Sequence, residues 1–153
     1  ALSLLEDPSE DETRLLGPWR YQVNNTVLHT DTSVLPPQTR AWSSWNYCRE
    51  DGEGDTRPVS VSYSMNLLQG LKTANHYCVS LNRQTPIRED AVIARMIYRH
   101  PSYTFASVGT RGELHQLNGV KNTWFCGSYF GYGFHEDAVR SAVDVGRDFG
   151  IEL

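Results

Sequence analysis

Val59-Ser-Val-Ser-Tyr-Ser-Met65 alternates without a break: Val59, Val61, Tyr63 and Met65 fall on one side and three serines on the other. A period of two residues is the pleat of a β-strand, and an apolar side opposite a polar one marks a sheet with one wet face. Three neighbouring runs read the same way. Residues 19–29 alternate weakly and hold Tyr21, Val23, Thr26, Val27 and Leu28; residues 41–48 hold Trp42, Trp45 and Tyr47; residues 76–81 put Tyr77, Val79 and Leu81 on one side. Turn-rich or short helical links separate them, so four antiparallel strands are expected from the first two-thirds of the chain.

The flanks read differently. Before the first run, Asp7 is a natural N-cap, Pro8 suits a first helical position, and Gly17-Pro18 ends the helix that runs through Ser9 to Leu16. After the last run, residues 89–96 have helical periodicity, a strand through Ile97-Tyr98 competes at their end, and Pro101 stops either. Residues 105–117 read as irregular or short helix. Residues 122–126 read as a buried strand that stays out of the meander and feeds a glycine-rich turn, Gly127-Ser-Tyr-Phe-Gly-Tyr-Gly133. A helix over residues 135–149 follows, with Ala138, Ala142 and Val145 at i, i+4 and i+7, Val139 and Val143 beside them, and Gly150 as the stop. The fold class expected is α+β, with domains over residues 1–100 and 101–153. The acidic run at residues 50–55 is a solvated loop tip without the oxygen spacing of an EF-hand.

Composition narrows the function classes. Of 153 residues, 39% are apolar and 11% aromatic, enough to build a core, so a disordered chain is excluded. A net charge of −4 offers no broad basic surface for nucleic acid. No apolar run approaches the roughly 18–20 residues of a membrane span, and no charged-then-apolar leader precedes the fold. The chain opens on Ala1, as a processed chain or a piece of a longer protein does. Three cysteines, Cys48, Cys78 and Cys126, are too few and too scattered for a disulfide framework, so free thiols in a cytoplasmic setting are expected, with Cys78 and Cys126 buried. No CxxC exists, and His76 and His100 lack ligand spacing, so no metal site is expected. GxSxG is also absent, which argues against a hydrolase.

The strand, glycine turn and helix carry the chemistry. A helix start presents unpaired N–H groups with partial positive charge, and glycines before it let another group approach the backbone. That is a site for an anion or a polar carbonyl; a purely structural turn is the other reading. Gly131-x-Gly133-x-x-Glu136 falls one glycine short of the dinucleotide GxGxxG, so it is not the pyrophosphate fingerprint itself.

Trp124-Phe-Cys-Gly-Ser128 followed by Gly131-Tyr-Gly-Phe-His-Glu-Asp-Ala138 resembles the C-terminal FAD motif of the flavin-containing amine oxidase superfamily, and more narrowly its bacterial NAD/FAD-binding, amine-oxidase-like branch. Arg20-Tyr-Gln22, Val27-Leu-His-Thr-Asp31, Ala41-Trp-Ser-Ser-Trp-Asn-Tyr47 and Tyr63-Ser-Met-Asn-Leu-Leu-Gln-Gly70 agree with that branch in order, over nearly the whole chain. The resemblance implies an FAD-dependent oxidoreductase with a substrate-domain-like antiparallel sheet and the last strand, turn and helix of a dinucleotide-binding domain. It implies cofactor contacts from Gly127, Ser128, Gly133, Phe134, His135 and Glu136, with the backbone N–H of His135, and Phe134 or Glu136 beside it, facing flavin N1 and O2. Ser128 stands where the family commonly has an acidic residue. The family's N-terminal GxGxxG is absent from these residues, so the chain is expected to be the C-terminal portion of a longer flavoprotein, inactive alone, whose partner is the N-terminal dinucleotide-binding segment. The only lysines, Lys72 and Lys121, fall in no matched motif. The substrate, a small molecule, and the catalytic residues are therefore left unassigned.

Four further residues have two readings each. His29 lines a substrate cavity or acts as a base; otherwise it is a strand-end histidine bonded to Asp31 or backbone, the reading favoured here. Trp45, Asn46 and Tyr47 wall a flavin or substrate cavity, or they pack a core. The competing function for the whole chain is a noncatalytic α+β binding or interaction domain that needs no cofactor.

Overall fold

The computed structural model of the protein describes residues 1–49 and 59–152. The acidic run at residues 50–55 lies outside them. The chain is α+β, with a five-stranded antiparallel sheet and, among the described residues, four α-helices. Two compact units are formed, one from residues 23–99 and one from residues 1–22 and 100–153.

The first unit carries the sheet. Its strands are β1 (Tyr21–His29), β2 (Trp45–Arg49), β3 (Val59–Ser64), β4 (Cys78–Leu81) and β5 (Val92–Pro101), in the order β2-β3-β4-β1-β5. All four expected strands are present. β5 is a correction, because residues 89–96 carried the helical expectation. Only Glu89–Ala91 make a helical turn, of the 3-10 kind; from Val92 the burial alternates, with Val92, Ala94 and Met96 more covered than Ile93, Arg95 and Ile97. A place in the sheet beside β1 satisfies the backbone as a helix would, and the β-branched and aromatic residues of this run favour the strand. Met65, read as strand, instead opens a short helix (α2, Met65–Gln69) that Gly70 ends in the left-handed region at φ 64°.

The sheet covers its polar face. Residues directly opposite in an antiparallel pair share a face, and Ser62 faces Ser80, Ser64 faces Cys78, and His29 faces Cys78. Ser60, Ser62, Ser64, Ser80, Cys78 and His29 are all buried. Val34, Leu35 and Ile87 pack with Cys78, joined by Val27, Trp42 and Val92. On the other face Trp45 and Tyr47 remain 42% and 67% exposed.

The second unit is helical. Helix α1 (Glu10–Leu16) starts two residues later than Asp7 suggested. Ser9 is the N-cap: its Oγ accepts the Glu12 N–H and the Glu12 carboxylate accepts the Ser9 N–H. That reciprocal pair outcompetes Asp7, whose carboxylate meets Lys121 instead. Residues 105–117 are the short helix α3 (Phe105–Thr110) and a 3-10 stretch (Arg111–Leu117). Leu15, Leu16, Trp19, Leu114, Leu117, Phe125 and Tyr129 form the core. The strand expected at residues 122–126 is absent. Lys121 and Asn122 take φ of 49° and 54°, the two positive values of a tight turn, and Val120 bridges Thr123 across it. Helix α4 (His135–Asp148) ends as expected at Gly150, φ 73°, with the Ile151 N–H bonded to the Gly146 carbonyl.

Candidate functional site

The glycine turn and the start of α4 form a braced unit. Ser128–Phe130 make one 3-10 turn, and the Ser128 carbonyl accepts the N–H groups of both Gly131 and Gly133 and the Tyr103 hydroxyl. Arg111 donates to the Gly131 carbonyl at 3.2 Å and lies 4.5 Å over the Tyr132 ring. Ser141, nearly two turns into α4, accepts the Gly127 N–H at 2.9 Å. Two glycines are required by what surrounds them. A Cβ on Gly131 would fall on the Asp137 carboxylate, and Gly133, at φ 94°, would place a Cβ 2.7 Å from the Tyr103 hydroxyl.

Asp137 is the centre of this turn. Its carboxylate, 5% exposed, accepts the N–H of Tyr132 at 2.9 Å and of Phe134 at 3.1 Å and meets Arg140. The Phe134 N–H first, then those of Tyr132 and the Arg140 side chain, hold its carboxyl below the usual range, against the burial that raises it. The expected flavin-facing set divides at this point. The Phe134 N–H is committed to Asp137, whereas those of His135 and Glu136 meet no acceptor among the described residues, and both residues are exposed. The open donors of the helix start are therefore His135 and Glu136, with Gly127 and Ser128 half-buried behind them. Asp137 sits at the third helical position, where an acid was foreseeable from the helix dipole. Arg111 and Tyr103 reach the turn from distant sequence and carry no local signal.

In the sheet unit, Trp45 and Tyr47 share one face while Asn46 and His29 lie on the other. Trp45 meets Tyr63 edge-on, ring centroids 5.6 Å apart. The Asn46 amide is spent on structure, bonding both the N–H and carbonyl of Ser43 and the Ser62 carbonyl. His29 is fully buried. Its Nδ1 accepts the Asp31 N–H at 3.2 Å, so the proton sits on Nε2, which donates to Ser80 Oγ at 2.9 Å; Ser80 Oγ shares a further hydrogen bond with Ser62 Oγ at 2.7 Å.

This is a histidine, two serines and an aspartate without the chemistry of a hydrolase. A base must offer Nε2 as acceptor to the serine, with a carboxylate on the other nitrogen; here Nε2 is the donor, and the Asp31 carboxylate faces the Ser33 and Arg88 N–H groups instead. Burial, and then the Arg83 charge, depress the imidazole pKa, so the neutral form is kept.

All three cysteines are unpaired. Cys78 is buried as expected, but Cys126 is exposed, because the extended run it ends is not a core strand. Among the described residues no helix is long and apolar enough to cross a membrane, and no group of three or more His, Cys, Asp or Glu is placed to hold a metal ion. No protein-family model and no curated protein matches the chain.

Proposed function

We propose that this chain is the C-terminal portion of an FAD-dependent oxidoreductase of the amine-oxidase-like kind, working in the cytoplasm, with the start of α4 turned toward the pyrimidine edge of the flavin. The observation that carries the reading is the surface of α4 and its turn. Tyr132, Phe134, Val139, Phe149 and Ile151 are each more than half exposed, while α4 turns the polar Asp137 and Ser141 inward. These exposed apolar side chains at both ends of α4 leave area that a covering layer would bury. The N-terminal dinucleotide-binding segment of the same protein is the layer proposed, and it brings the GxGxxG that these 153 residues lack.

The residues present fit the group. Bound FAD supplies hydride acceptance at its ring system. The open N–H groups of His135 and Glu136, at the positive end of a 14-residue helix, stabilise negative charge at flavin N1 and O2. Gly133, without a Cβ, admits the Tyr103 ring that braces the turn, and the Ser128 hydroxyl would serve as a neutral partner for the ribityl chain. Asp137 holds the turn before any ligand arrives.

The test uses the full-length protein. It is expected to show flavin absorption and to release FAD on denaturation. His135→Pro removes one N–H from the first helical position, where proline is tolerated. It should weaken FAD binding roughly tenfold or more, the scale of a hydrogen bond to a charged acceptor, while leaving the melting temperature unchanged. A colourless protein without FAD overturns the proposal and favours a noncatalytic binding domain.

A further inference from the structure

The helical unit contains a second feature, walled in part by Tyr129 of the glycine turn. A cavity of about 340 Å³ is lined by Leu2, Leu16, Trp19, Tyr21 and Tyr129, with Ser3 among its edge residues. Its walls are two leucines and three aromatic rings. An apolar cavity of about 150 Å³ already takes a benzene ring, so this one has room for two fused rings. Tyr129 is 7% exposed, packs at a tilt against Trp19 and Phe130, and makes no hydrogen bond through its hydroxyl to any described residue. The ring is buried, but its hydroxyl is not among the buried polar atoms left without a partner; indole and phenol donors in such places ordinarily find one. The neighbouring Trp19 does: its indole N–H donates to Thr110 Oγ1 at 3.0 Å. Among the described residues, the Tyr129 and Tyr21 hydroxyls are thus the uncommitted donors on an aromatic wall.

We infer that this cavity is a binding site for a small, planar, largely apolar molecule that presents one hydrogen-bond acceptor to the Tyr129 hydroxyl. Rings stack or tilt against Trp19 and Tyr21, and the phenol sets the orientation. Desolvation raises the Tyr129 pKa, so the hydroxyl keeps its proton and acts as a donor at neutral pH. The site stands independently of the flavin proposal, since none of the residues assigned to flavin lines it.

Two probes of one shape separate donor recognition from cavity filling. Quinoline carries an acceptor nitrogen; naphthalene does not. Titrated against the 153-residue chain and followed by tryptophan fluorescence, both should bind saturably at one site, and quinoline more tightly. Tyr129→Phe keeps the ring and should lower quinoline affinity roughly fivefold, the scale of one neutral hydrogen bond, while naphthalene affinity stays unchanged. Ser3→Trp, at an exposed edge position, should block both probes without touching the core. Circular dichroism and melting temperature confirm that each variant folds. Absence of saturable quinoline binding overturns the inference. So does an equal response of the two probes to Tyr129→Phe, or retention of both by folded Ser3→Trp.

Discussion

At His29 the Asp31 N–H occupies Nδ1, so the imidazole can only donate from Nε2. Protonation would put a proton on Nδ1, which already accepts the Asp31 N–H, in a place without solvent. Burial accordingly depresses the pKa of the folded state below the ordinary histidine value. The unfolded chain binds a proton that the folded chain refuses. The stability that neutral His29 contributes is therefore whole above about pH 6.5, the ordinary value, and is lost as the pH falls below it. Urea midpoints at pH 8 and pH 5.5 should drop on acidification, in an interval above the carboxylate range. His29→Gln should have a lower midpoint at pH 8 but a flatter dependence. An unchanged slope in the variant assigns the acid sensitivity to another group.

The strength of the α4 element rests on a carboxylate folded back under a glycine. Asp137 bonds two backbone N–H groups of the turn, and Gly131 leaves the space in which it does so. Gly131→Ala places a methyl group in that space. The carboxylate must move, and its bonds to Tyr132 and Phe134 go with it, at a cost of roughly 1–3 kcal/mol, as for other overpacked sites. Gly131 stands at φ −129°, whereas Gly150→Ala asks for a positive φ; no atom stands within 4 Å of the Gly150 Cβ, so it should cost less, about 1 kcal/mol. Equilibrium urea unfolding of the two variants gives the comparison. A loss at Gly131 no larger than at Gly150 would show that displacing the Asp137 carboxylate costs no more than one left-handed backbone position.

On the scale of the whole molecule the three thiols report the fold. Cys48 and Cys126 are exposed and Cys78 is buried at the centre of the covered sheet face, with burial pushing its pKa up to about 11. Thiol titration should find two groups reactive in the native chain and a third only after unfolding. Three native thiols would mean that the serine face of the sheet is open, and one or none that Cys126 is covered as a core strand would cover it.

What the sequence determined by itself is local. Val59 to Ser64 alternate because a pleat has period two, Gly150 stops α4 because its φ is left-handed, and the glycines before α4 mark a close approach that does exist, to Asp137 and to Tyr103. The start of α1 was half legible: Ser9 and Glu12 stand at capping-box spacing, yet the neighbouring Asp7-Pro8 offers a rival cap. Tertiary structure decided the rest, because alternation is the same whichever face is covered. Leu35 and Ile87 pack against Cys78, so the serine face is the inside one, and its hydroxyls survive burial by bonding to one another and to His29. The same holds for β5. Val92 to Met96 can satisfy their backbone as helix or as strand, and a vacant edge beside β1 selects the strand. Residues 122–126 show the reverse: an apolar run without a neighbouring strand turns at Lys121-Asn122 instead of joining a sheet.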